Sequence, residues 1–166
     1  MFLSRRRLVL IGTVTVIVGV IVLLPLILTI TLPDLSAIDI TIKNIELEDI
    51  SEDNTATLNV VFNIKNPTGQ ALTTSKIDYE LYANEESIGE YTKSYIDIPV
   101  NGRPQLFSNT ETNISSVIET PVLDEKIRLD LRNNNQSLQN IEWTINGDAI
   151  IESGFSSAPK IFNATW

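Results

Sequence analysis

The chain contains no cysteine and no histidine. That excludes disulfides, thiol nucleophiles, zinc sites built on Cys or His, and every catalytic triad that needs an imidazole base. A domain outside the cell without disulfides must be held by its hydrophobic core alone. Charge is missing too, but only locally: residues 8–32 carry none. Acidic residues are absent before position 34, and all 21 lie from Asp34 onward. Three of the twelve basic residues are Arg5, Arg6 and Arg7, so the remainder of the chain holds nine against 21, a net −12. Such a surface repels phosphates and anionic headgroups, which argues against nucleic-acid binding.

The uncharged run Leu8–Leu32 has eighteen Leu, Ile or Val among its 25 residues. As a helix it would extend ~37 Å at ~1.5 Å per residue, enough for a hydrocarbon layer of ~30 Å. In lipid the backbone must satisfy its own hydrogen bonds, so a single span is helical despite its β-branched composition. Arg5, Arg6 and Arg7 precede the run and Asp34 follows it. The positive-inside rule then places the N-terminus in the cytoplasm and the acidic part outside. A cleaved signal peptide is the competing reading. Its apolar region is normally ~7–15 residues and ends in a small-x-small site. The run here is longer, and Leu35-Ser36-Ala37 matches poorly. An uncleaved anchor is expected: a basic tail at 1–7, a transmembrane helix at 8–32 and an extracellular domain at 36–166.

That domain reads as strands. Ile38, Ile40 and Ile42 alternate with polar residues, and the phase then slips to Ile45 and Leu47, as a bulge near Asn44 would require. Ala56, Leu58, Val60, Phe62 and Ile64 alternate without interruption up to Asn66-Pro67-Thr68-Gly69, a turn signal. Ile77, Tyr79 and Leu81 form a third strand, with Tyr79 toward the core and Tyr82 on the outer face. Asn84-Glu85-Glu86 is a hairpin connection, after which residues 87–100 resume extended structure with Ile96, Ile98 and Val100 on one face. Residues 105–116 read as an edge strand. Residues 121–131 fit helix or strand; Thr120-Pro121 as N-cap and first helical residue favours a short helix. Asn146-Gly147 is a hairpin turn or a bulge. The fold class expected is all-β: an immunoglobulin- or fibronectin-III-like antiparallel sandwich of about seven strands with one short helix, preceded by the transmembrane helix.

The segment Leu58–Gly89 resembles the water-stress and hypersensitive-response domain of late-embryogenesis-abundant (LEA) type 2 proteins. The matching residues are Asn66, Pro67, Tyr79, Leu81, Tyr82, Asn84, Ile88 and Gly89, with Trp143 to Gly147 resembling a later strand. The resemblance implies a sandwich, no catalytic residues, tethering by one helix and a role in stress tolerance. It also favours a bulge over a hairpin tip at Gly147.

Chemical candidates are few. Glu46, Glu48, Asp49, Glu52 and Asp53 offer oxygen ligands but lack the spacing and central glycine of a calcium loop, so a solvated turn is the simpler reading. Adjacent acids such as Glu85 and Glu86 have no companions for acid–base chemistry. Asn113, Asn135 and Asn163 head Asn-x-Ser/Thr sequons on the side assigned to the exterior. No enzyme, cofactor, metal or small-molecule substrate is expected. The bilayer, through residues 8–32, is the expected partner, with other membrane or envelope proteins beyond it. Two functions fit: a protective or binding module at the cell surface, or an accessory subunit of a larger membrane complex.

Overall fold

The computed structural model describes residues 5–31, 33–51, 55–121, 138, 141–154 and 156–166. The chain divides into two units, residues 1–32 and 33–166.

The first unit is helix α1, Arg5–Thr31, with Pro25 inside it. Its described apolar side chains are exposed, including Val9, Ile17 and Leu24. Thr13 and Thr15 donate their hydroxyls to the carbonyls of Val9 and Ile11, at 3.0 and 2.9 Å, so neither hydroxyl needs water. The helix is long and apolar enough to cross a membrane. A secretory signal near an N-terminus meets the same test.

The second unit is an antiparallel sandwich. Its strands are β1 Asp39–Ile50, β2 Thr55–Asn66, β3 Leu72–Ala83, β4 Glu86–Ser94, β5 Gln105–Leu106, β6 Thr110–Pro121, β7 Trp143–Glu152 and β8 Ser157–Thr165. One sheet runs β1-β2-β6; the other runs β4-β3-β7-β8, with β5 paired to the start of β3. The alternation in β2 buries Ala56, Leu58, Val60, Phe62 and Ile64. Leu58, Val60, Phe62 and Ile64 share one core cluster with Ile40, Ile42 and Ile45 of β1, Ile77, Tyr79 and Leu81 of β3, and Ile145, Ala149 and Ile151 of β7. Strand period and one-sided burial agree along these segments, which is what fixes the register.

The phase slip in β1 is a register shift between Ile42 and Asn44, and it returns Ile45 to the core. Asn84 and Glu85, with φ of 50° and 69°, form the two-residue β3–β4 connection. Both positive values suit the primed turns that match strand twist.

Three expectations are corrected. The strand expected over 87–100 ends at Ser94, and Ile96, Ile98 and Val100 are exposed in the turns that follow. Tyr95 N donates to the Ser75 carbonyl and Ile98 N to the Tyr95 carbonyl, which curls the chain away from β3. Thr120 and Pro121 do not start a helix; they end β6, opposite Ala56 and Thr55. A proline is tolerated there because β6 is an edge strand. Most of the ambiguous segment, 122–131, lies outside the described residues. Gly147 is neither a hairpin tip nor a bulge: β7 is continuous through it, paired with Tyr79 on one side and Phe162 on the other.

Candidate functional site

The second sheet places Tyr91, Tyr79, Gly147 and Phe162 in one row across four strands. Phe62, from the other sheet, meets Tyr79 edge-on at 5.0 Å between ring centroids and Phe162 at 6.0 Å. Gly147 is what lets these rings close up. A Cβ there would meet the Asp78 carbonyl oxygen, and would lie 2.9 Å from Tyr79 Cβ and 3.0 Å from Phe162 Cζ. Tyr79 Oη donates to Ser116 Oγ at 2.9 Å, a buried bond between the two sheets. Burial pushes the Tyr79 phenol up to about 12.

Asn66 is fully buried at the end of β2. Its Nδ2 donates to the carbonyls of Gln70 and Leu106, each at 2.8 Å. Its Oδ1 accepts from Thr68 N at 3.0 Å and Thr68 Oγ1 at 2.7 Å. Both amide ends are thus occupied, and the side chain acts as a clamp for the turn that Pro67 opens. Asn84 does a similar task at the opposite end. Its N donates to the Glu142 carbonyl at 2.8 Å, and its Oδ1 accepts from Glu142 N at 3.0 Å. Gly89 takes φ 153°, beside the register shift in the β3–β4 pairing, with the Tyr91 ring against it. Asn66, Pro67, Tyr79, Asn84, Gly89 and Gly147 therefore shape turns, a bulge or ring packing.

The outer face of the same sheet holds a shallow depression of about 410 Å³ lined by Asp78, Glu80, Glu90, Thr92, Asn146 and Asp148, among others. Four carboxylates line it, and two of them, Asp78 and Glu80, are occupied. Asp78 pairs with Lys76 Nζ at 2.5 Å and accepts from Thr92 Oγ1 at 2.6 Å. Burial alone would raise its pKa, but the bonds from Lys76 and Thr92 outweigh it and hold the carboxyl below its ordinary value. Glu80 accepts from Ser87 Oγ at 2.5 Å and Tyr82 Oη at 2.6 Å, and these bonds lower it as well. The same bond to Glu80 raises Tyr82. Carboxylates held ionised are weak bases and poor acids near neutrality, the opposite of what proton transfer needs. Among the described residues no three acidic side chains are placed to hold a metal ion.

The sequence candidates do not converge on this surface. Asn113 is exposed on β6 and accepts from Asn63 Nδ2 at 3.2 Å. Asn163 is exposed on β8 and donates to Asn146 Oδ1. Asn135 lies outside the described residues, as do Glu52 and Asp53 of the calcium candidate. Arg5, Arg6 and Arg7 form the exposed first turn of α1. The depression is not legible in the sequence because its members come from three strands. The outward phase of Asp78, Glu80 and Tyr82 was the only available signal.

No family model matches the chain, and no curated protein matches it significantly. Solved structures do. A solution structure of an Arabidopsis thaliana protein aligns with TM-score 0.50 at 10% identity, covering 76% of this chain and 78% of its own. A structural-genomics target solved by X-ray aligns with TM-score 0.50 at 14% identity, covering 78% and 86%. A solution structure described as a candidate LEA protein aligns at 13% identity with TM-score 0.48, covering 100% and 92%. At these identities the likeness is one of fold: an all-β two-sheet sandwich shared with the Arabidopsis protein and the X-ray target.

Proposed function

We propose that this chain is a membrane-tethered, non-catalytic sandwich of the LEA type 2 kind, displayed outside the cell in a stress-protective or binding role. One observation carries the reading. A domain whose conspicuous polar groups are spent on its own turns follows a helix that opens on Arg5, Arg6 and Arg7 and carries no charge beyond them. The arginines favour the cytoplasmic face, and the net −12 of the remainder favours a hydrated exterior. The fold likeness and the positions of Asn66, Tyr79, Asn84 and Gly89 at turns, a bulge and ring contacts support the family assignment. Asn113 and Asn163 are exposed and open to glycosylation in a host that performs it.

Purification of the full chain in mild detergent, followed by mass spectrometry, tests the role. Recovery alone or self-associated fits the surface module. Stoichiometric recovery with other membrane subunits would replace it with the accessory-subunit reading.

A further inference from the structure

Six large apolar side chains of the sandwich are exposed among the described residues, and four of them, Ile96, Ile98, Val100 and Phe107, lie at one end. The other two, Val117 and Ile161, sit singly on strand faces. The end is defined by pairing. The β1 start, Asp39, is opposite Lys65 at the β2 end. The adjacent Asn66 is opposite Thr110 at the β6 start and bonded to Leu106 of β5. The segments 95–104 and 107–109 join strands at this end, where the chain also enters the domain.

The loop over 95–104 inverts the usual order of charge and grease. Arg103, its side chain 13% exposed, turns inward and pairs with Glu152 at 2.5 Å. Its Nε donates to the Ile98 carbonyl at 2.9 Å and its guanidinium reaches the Ile96 carbonyl at 3.3 Å. Gln105 Nε2 donates to the Val100 carbonyl at 3.2 Å. The loop's carbonyls are satisfied from within, while Ile96, Ile98 and Val100 remain 56%, 40% and 55% exposed. Phe107, 60% exposed, lies in the neighbouring turn, where Thr110 N donates to its carbonyl. A concentration of exposed apolar residues on fixed backbone marks a contact surface.

Covalent geometry says what covers it. Leu35 is buried in the sandwich core, and Thr31 is the last residue of α1. Four residue steps separate them, a reach of roughly 14 Å at most, whatever the orientation of the two units. If α1 is a membrane anchor, which is the reading this rests on, the tethered end cannot leave the bilayer surface. We propose that Ile96, Ile98, Val100 and Phe107 insert into the headgroup–acyl boundary of the membrane that holds α1. Lys93, whose Nζ sits 5.7 Å from the Tyr95 ring centroid, adds an amphipathic pair of the kind that favours this zone. Asp97, the one acid in 95–104, has ammonium headgroups to meet there.

The absence of native cysteine permits a direct test. Nitroxide labels are placed one at a time on the full chain in phosphatidylcholine–phosphatidylethanolamine vesicles, at Val16→Cys, Ile96→Cys, Ile98→Cys, Phe107→Cys and Glu85→Cys. Collision with lipid-soluble oxygen is compared with collision with an aqueous nickel chelate. The expected result is an oxygen-to-nickel ratio several-fold higher at 96, 98 and 107 than at 85, with 16 higher still. Labels at 96, 98 and 107 that behave like 85 while 16 reports lipid would overturn the contact and leave the anchor intact. Shielding of 98 and 107 from both agents would mean a protein cover, such as a second copy, and would also overturn it. Nickel access at 16 would remove the anchor and the contact together.

Discussion

Asn66 Nδ2 donates to the main-chain oxygen of Leu106 at 2.8 Å, and so ties β2 of one sheet to β5 of the other. The residue is fully buried, so no water stands ready to replace it. Asn66→Ala removes the amide's bonds to the Leu106 carbonyl and to the N–H of Thr68, while the Gln70 carbonyl keeps its bond from Thr68 Oγ1 at 3.2 Å. With ~1–3 kcal/mol for a buried group left unpaired, a loss of about 3 kcal/mol is expected by urea unfolding. Asn66→Asp, of the same size, is expected to lose at least as much, because it aims an acceptor at two acceptors.

Gly147→Ala tests the aromatic row. The added methyl meets Tyr79 Cβ at 2.9 Å and the Phe162 ring at 3.0 Å, besides the Asp78 carbonyl. Backbone cannot swing aside as a flexible side chain does. A loss of about 2 kcal/mol or more is expected in thermal or chemical unfolding, within the overpacking range. Gly69→Ala, with nothing within 4 Å, is the control and should stay near the parent.

Tyr79 makes alkaline stability informative. Its pKa is ordinarily 10.0 and burial raises it to about 12 in the fold. A raised folded value means the stabilising contribution is complete below pH 10 and drains away as pH climbs toward 12. The two-unit gap corresponds to about 3 kcal/mol. Unfolding free energy should therefore fall over that window, and Tyr79→Phe should flatten the fall. At neutral pH Tyr79→Phe removes the bond to Ser116 and should cost ~1–2 kcal/mol. Combining it with Ser116→Ala should cost less than the sum, since one bond is lost in both.

Arg5, Arg6 and Arg7 are expected to set orientation. Replacing all three by glutamate removes the basic flank while leaving the apolar run untouched. A mixed or inverted topology is then expected in a protease-accessibility assay.

Much of the fold was legible because local pattern and tertiary burial coincide. The alternation of Ala56 to Ile64 named the β2 core face, and the slip after Ile42 located the β1 bulge. Where the two diverge, pattern misled. Ile96, Ile98 and Val100 alternate as a strand would, yet Arg103 holds the Ile96 and Ile98 carbonyls in a loop, and Arg103 is itself fixed by Glu152, which is far away in sequence. Thr120-Pro121 carries the residue types of a helix start, but an edge strand accepts the same pair at its last position. Asn146-Gly147 reads as a hairpin turn or a bulge because the reason for the glycine lies in its packing against Tyr79 and Phe162 on neighbouring strands. Asn66 and Pro67 were identified as a turn, whereas the reach of Asn66 to Leu106 appears only in the packed structure.

The most direct measurement is maleimide labelling of intact cells expressing Glu85→Cys, followed by the mass of the labelled chain. Glu85 is an exposed hairpin residue and the background has no native thiol. A membrane-impermeant reagent should label it without lysis, on a polypeptide that retains residues 1–32. Labelling only after lysis, or a labelled species lacking those residues, would contradict an anchored domain on the outer surface.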